Sequence, residues 1–201
     1  MTRILLLGAC ALVFTACTAS SDDVGEAGVD DVAGVSEMVN RCPDTLILDL
    51  AGYGSEELPA SNGDDDAWHI ENGLRSGVET TESGVQYRVV QRGMENGMTP
   101  RPGEQIAANY HGYFPNGDVF DSSYAPGRSE LRGRSNGFIP GWNEMLADMK
   151  VCEARTLYIP ADLAYGNSGA GGRPSGTLLF HMQLLEVNRE GVADAVGVDR
   201  D

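Results

Sequence analysis

Charge is segregated along this 201-residue chain, and the segregation bounds what can fold. Residues 18–83 hold 16 acidic and two basic side chains, a net of −14, while residues 84–190 hold 11 acidic and 10 basic, a net of −1. An acidic stretch poor in large apolar residues cannot bury enough surface to offset chain entropy, so it is expected to stay largely disordered. The balanced stretch can fold. One domain is therefore expected over residues 83–190, after an acidic tether over 17–82 and before a flexible tail over 191–201. The whole chain carries −16 and no basic surface that would release counterions from phosphates, which excludes nucleic acid as a partner.

The amino terminus reads as an address. Met1-Thr2-Arg3 is a short positive start, residues 4–14 (ILLLGACALVF) form an apolar run, and Thr15-Ala16-Cys17 follows. The run is too short to span a bilayer and has the form of a secretory signal over residues 1–16. The small pair before Cys17 resembles a bacterial lipobox, in which the cysteine is lipidated and becomes the first residue of the mature chain. Phe14 stands where that pattern usually has Leu, Cys10 is a rival acceptor with a shorter apolar core, and an ordinary cleaved signal is the plainer alternative. Thr18 rather than Asp after Cys17 resembles the outer-membrane sorting pattern. The expected location is the bacterial cell envelope, at the outer membrane facing the periplasm. Acyl chains would hold the protein there by burying methylenes at ~0.8 kcal/mol each.

Removing Cys10 with the signal and lipidating Cys17 leaves Cys42 and Cys152. In an oxidising periplasm these two either pair, stapling the arm onto the domain, or stay separate; their distance is not legible in sequence. Within the arm, residues 45–50 (TLILDL) read as one short strand or a helical turn. The run Asp64-Asp65-Asp66 reads as turn and solvated charge.

From residue 84 onward the pattern changes. Residues 84–91 alternate apolar and polar as a half-buried strand does, and residues 105–113 and 119–123 form two more around the turn Pro115-Asn116-Gly117-Asp118. Residues 154–159 and 177–187 complete the strands. Residues 141–149 form the only clear helix, with Trp142, Met145, Leu146 and Met149 on one apolar face. The class is α+β, one short helix on an antiparallel sheet of five or six strands.

At these strands the chain resembles the FKBP-type peptidyl-prolyl isomerases. The resemblance rests on Ser83-Gly84-Val85-Gln86-Tyr87, Tyr110-His111-Gly112-Tyr113, Gly117-Asp118-Val119-Phe120-Asp121-Ser122-Ser123, Phe138-Ile139-Pro140-Gly141-Trp142 and Leu163-Ala164-Tyr165-Gly166, in the family's order. It implies a sheet wrapped around the helix and a proline pocket at Tyr110, Phe120, Asp121, Phe138, Ile139, Trp142, Tyr165 and Phe180. Trp142 would be the floor and Tyr110, Phe120 and Phe180 the aromatic walls. The Ile139 N–H and the Tyr165 hydroxyl would donate to the carbonyls of a bound peptide. Two stretches depart from the family. Residues 124–133 are one residue longer and lack a pocket Phe, leaving Leu131 as the substitute wall; residues 169–176 are shorter and lack aliphatic residues before the proline.

The implied activity is cis/trans isomerisation of X–Pro bonds in unfolded or partly folded exported proteins. Amide rotation faces ~18–20 kcal/mol because resonance must be broken. A half-rotated amide is less polar than the planar one, so a dry apolar pocket with placed donors favours it without nucleophile, metal or cofactor. Three alternatives stay open on residues alone. Trp142 and Phe180 suit any sheet-on-helix core; the same fold could be a chaperone or peptide-binding module with little turnover; and the acidic arm could be the working part of a surface lipoprotein. His69, His111 and His181 lack metal-ligand spacing, and Gly169-Ala170-Gly171-Gly172 has no Lys-Ser/Thr sequel, so zinc and P-loop chemistry are not expected. With no long amphipathic helix in the arm, a monomer is expected.

Overall fold

A computed structural model describes residues 38–52, 57–61 and 63–189. The signal, Cys17 and the tail over 191–201 lie outside the described residues. Two helices and seven strands follow in order: α1 (Asp65–Gly73), β1 (Glu79–Thr80), β2 (Gln86–Gln91), β3 (Gln105–Tyr113), β4 (Val119–Ser122), β5 (Leu131–Arg134), α2 (Pro140–Leu146), β6 (Ala154–Ile159) and β7 (Leu178–Asn188).

The strands make one antiparallel sheet in the order β1-β2-β6-β7-β3-β4, with β5 also on β3. Strand β3 is the organiser. Its full length pairs with β7, from Gln105 opposite Asn188 to Tyr113 opposite Leu179. Its other edge is shared, with β5 on residues 105–108 and β4 on residues 111–113. The α+β class stands, with seven strands among the described residues where five or six are expected. β5 (LRGR) escaped because only Leu131 is apolar, and β1 is two residues long.

Helix α2 is shorter than its apolar period. Pro140 opens it at the first position, where a missing N–H costs nothing. Trp142, Met145 and Leu146 are buried as the pattern requires, and Met149 is buried too, on the turn that follows. The chain then reverses into β6 through Cys152, which holds φ at +71°.

Two expectations about residues 38–82 are corrected. The described part of that segment is folded, and 141–149 is not the only helix. Asp64 caps α1 by accepting from the Ala67 N–H at 3.0 Å, and Asp65 and Asp66 sit in its first turn, where the helix dipole favours acids. The acid run is thus a helix start. Trp68 on α1 is 3% exposed and packs with Tyr113, Tyr158 and Leu179 on the outer face of the sheet. Upstream, residues 38–50 form a strap. The Cys42 N–H donates to the Leu185 carbonyl at 2.6 Å, and Gln183 brackets the strap by accepting from the Leu48 N–H and donating to the Leu46 carbonyl, both at 2.8 Å. Cys42 and Cys152 form a disulfide, with Cα atoms 5.0 Å apart across 110 residues. Within 45–50, where a short strand or helical turn was expected, the chain makes a single 3-10 turn at Asp44–Leu46 and then buries Leu50 completely. Few apolar residues suffice here because the sheet supplies their partners.

Candidate active site

The inner face of the sheet and α2 enclose an open cavity of about 910 Å³. Every pocket residue expected from the sequence lines it. Strand β3 supplies Tyr110, β4 supplies Phe120 and Asp121, β5 begins with Leu131, and β7 supplies Phe180. The turn into α2 adds Phe138 and Ile139, α2 itself Trp142, and the connection after β6 Tyr165.

Trp142 is the hub of an aromatic cage. Its ring centroid lies 5.4 Å from Tyr110, 5.1 Å from Phe180 and 5.4 Å from Phe138. Phe180 meets Phe120 edge-on at 5.4 Å, and Phe120 meets Phe114 at 5.0 Å. Such tilted and T-shaped contacts suit ring quadrupoles and fix the walls. Two glycines make them fit. A Cβ on Gly112 would stand 2.8 Å from the Phe120 ring, and one on Gly133 would stand 2.8 Å from the Phe138 ring.

One wall is polar. The Tyr110 hydroxyl donates to Asp121 Oδ2 at 2.6 Å, while Oδ1 accepts from the Ser122 N–H at 2.9 Å and from Arg128 at 2.7 Å. Burial first, and the adjacent carboxylate second, push the Tyr110 phenol well above its usual range, so it remains a donor. Both Asp121 oxygens are therefore engaged, and its charge is paired with Arg128. Other donors at the cavity are not engaged. The indole N–H of Trp142 is buried without a partner, and neither the Ile139 N–H nor the Tyr165 hydroxyl has an acceptor among the described residues. Asn143 holds the Phe138 backbone in place, accepting from its N–H at 3.0 Å and donating to its carbonyl at 3.1 Å. The second of these bonds fixes the peptide plane that carries the Ile139 N–H.

The lining also includes residues the sequence reading missed, chiefly Phe114, Arg128, Arg173 and Pro174. Phe114 ends the β3 run of aromatics, which was its signal; the two arginines sit in the stretches that depart from the resembling family. Leu131 takes its place in the wall as expected. The loop over 166–176 is closed at its base by the Gly176 N–H donating to the Gly166 carbonyl at 3.1 Å. Asp65 of α1 then accepts from the Thr177 N–H at 2.8 Å, so the amino-terminal segment pins the root of a pocket loop. Cys42 and Cys152 are not lining residues, and no cluster of metal-ligating side chains exists among the described residues.

Residues 96–185 match the family model for FKBP-type peptidyl-prolyl cis-trans isomerases. The FKBP-type 22 kDa peptidyl-prolyl cis-trans isomerase of Escherichia coli (strain K12) is 43% identical over 119 residues, 58% of this chain and 56% of that protein. The outer membrane protein MIP of Legionella longbeachae is 33% identical, over 62% of this chain and 53% of that one. Among solved structures, that of FkpA from Escherichia coli superposes with a TM-score of 0.57 at 36% identity, covering 62% of this chain and 57% of that one. The chain spans about half the length of the curated relatives it matches. The domain that holds this cavity, matched over residues 96–185, is an FKBP-type peptidyl-prolyl cis-trans isomerase domain.

Proposed function

We propose that the chain is a peptidyl-prolyl cis-trans isomerase acting on X–Pro bonds of exported proteins. The observation that carries this reading is the pairing of an aromatic cavity with unengaged donors, the Ile139 N–H and the Tyr165 hydroxyl, at its edge. Proline fits against the Trp142 floor between Tyr110, Phe120 and Phe180. Phe138 and Leu131 close the apolar wall. The two donors hold the peptide carbonyls on either side, and Asp121 fixes the Tyr110 hydroxyl that faces the turning amide. Withholding water from the polar planar amide, while keeping its neighbours oriented, lowers the barrier to the less polar twisted form. The uncatalysed exchange takes tens of seconds or longer, so even modest barrier reduction is useful.

The test is exchange of a short Xaa-Pro peptide by the full chain, read by NMR, beside Tyr165→Phe and Asp121→Ala after each passes a fold check. Catalysis weakened by both substitutions is expected. A folded chain with no rate above background would reject the enzyme and leave a binding module.

Anchoring is the second part of the proposal. The signal over residues 1–16 and Cys17 support a lipidated chain at the outer membrane, facing the periplasm, and a relative named as an outer membrane protein adds support. Labelled palmitate should enter the wild-type chain and not Cys17→Ser. Label retained by the variant would remove Cys17 as the acceptor.

A further inference from the structure

Three charged side chains line the cavity, and two of them cancel. Asp121 is paired with Arg128 at 2.7 Å and has its other oxygen capped by Tyr110. The third is Arg173, on the loop after β6. Its guanidinium lies over the Tyr165 ring at 5.5 Å, within cation–π range, and it has no carboxylate partner among the described residues. The loop over 166–176 (GNSGAGGRPSG) contains no acid to offer it one. Arg173 precedes Pro174, which restricts its backbone to the extended conformation it adopts, φ −78° and ψ 151°. The guanidinium lies over the Tyr165 ring, on the cavity lining. The cavity lining thus carries one net positive charge in a chain whose total is −16.

We propose that Arg173 makes this cavity select X–Pro segments with an acidic side chain next to the proline. The inference rests on the isomerase reading above. The chain's overall charge would repel an acidic peptide, so a preference for one has to originate at the cavity lining. Arg173 supplies a fork of donors for a carboxylate, and the carboxylate gains a cation already positioned by Tyr165 and Pro174. Arg128 does not serve in the same way, because Asp121 already occupies it. At an exposed rim the pair is partly screened, so the preference is modest and fades with salt.

The experiment measures kcat/KM by NMR exchange with the full chain, which avoids the sequence preference of a coupling protease. One peptide series carries Glu, Gln, Lys or Leu immediately before the proline, and a second carries Glu or Gln immediately after it. Wild type is compared with Arg173→Gln and Arg173→Lys at low salt and at 1 M salt. The expected result is a Glu-over-Gln ratio of about two to five on at least one side of the proline. Lys should fall below Gln. The ratio should drop to one in Arg173→Gln, survive in part in Arg173→Lys, and shrink at high salt. Turnover of the Gln and Leu peptides with a wild-type Glu-over-Gln ratio at or below one overturns the selection and leaves the isomerase standing. A ratio that persists in Arg173→Gln overturns the assignment to Arg173. Absence of exchange for every peptide overturns the isomerase reading itself, and the selection with it.

Discussion

The two faces of the sheet are built on the same strands and finished in opposite ways. On the inner face β3, β6 and β7 turn Tyr110, Leu157, Phe180 and Met182 toward α2, and the largest aromatic side chains are left bordering open space. On the outer face the same strands present Tyr113, Tyr158, Leu179, His111 and His181, with α1 packed over the aromatic cluster and the strap bonded to Gln183. That cover is held by polar bonds as much as by packing. Asn72 donates to Gln86 Oε1 at 2.8 Å, Gln86 donates to the His69 carbonyl at 2.8 Å, and Trp68 donates to the Pro59 carbonyl at 3.1 Å. A cavity can hold its shape only if the strands beneath it are fixed from behind. The outer face supplies that backing, so the chemistry sits on one side of the sheet and its support on the other.

The two tryptophans give the largest test of that division. Each is almost fully buried, Trp142 on the inner face and Trp68 on the outer. Either Trp→Ala change should cost about 3–5 kcal/mol in urea denaturation. Trp142→Ala should also abolish most exchange activity per folded molecule, whereas Trp68→Ala should keep it. Equal losses of activity would erase the distinction between the faces.

The disulfide comes next. Closing a loop of 110 residues limits the unfolded chain, and opening it by Cys42→Ser or by reductant should cost about 2–5 kcal/mol. Paired denaturation curves with and without reductant check this, and a Cys42→Ser curve that does not move with reductant confirms the source. A shift below about 1 kcal/mol would mean that the strap holds through hydrogen bonds alone.

Histidine protonation should act on the outer face. His181 lies there, beside the Tyr113 ring at 4.9 Å, and burial, aided by the charges of His111 and Arg88, lowers its pKa to about 4. Burial lowers His69 and His111 as well, and no histidine lines the cavity. Between pH 6.5 and 4 the unfolded chain binds the proton that folded His181 refuses. Its contribution is therefore fully present above pH 6.5 and is lost as pH falls toward 4, by up to roughly 3 kcal/mol. Denaturation midpoints across that window measure it, and His181→Gln should flatten the slope. An unchanged slope in that variant would assign the acid sensitivity elsewhere.

The smallest effect concerns the link between the faces. Asp65→Asn weakens the bond to the Thr177 N–H and should cost about 1 kcal/mol. Hydrogen exchange should rise in the loop over 166–176 and stay constant in β3. A uniform rise through the sheet would show that α1 supports the fold without a special hold on the loop.

Legibility followed the range of the interactions. The strands and α2 could be read because alternation and the helical period are local signals. The pocket could be read because its residues sit within motifs that resemble a known family. Arg128 and Arg173 escaped because they lie in the stretches that depart from those motifs. The folded segment upstream escaped for a different reason. Trp68 and Cys42 lie in stretches with no helical or alternating period, and each is buried against residues distant in sequence.

By itself the sequence determined the class of the domain, the order of its main strands, the helix at Trp142 and the set of aromatic residues around the cavity. The first three follow from side-chain patterns that repeat within a few residues, and the last from motifs that resemble a known family. Only the tertiary structure decided that the acidic segment covers the sheet, that Cys42 reaches Cys152, and that one unpaired arginine lines the cavity. Composition averages over a segment, whereas burial depends on which surface each side chain meets; a handful of well-met contacts can fold a stretch whose average argues for disorder.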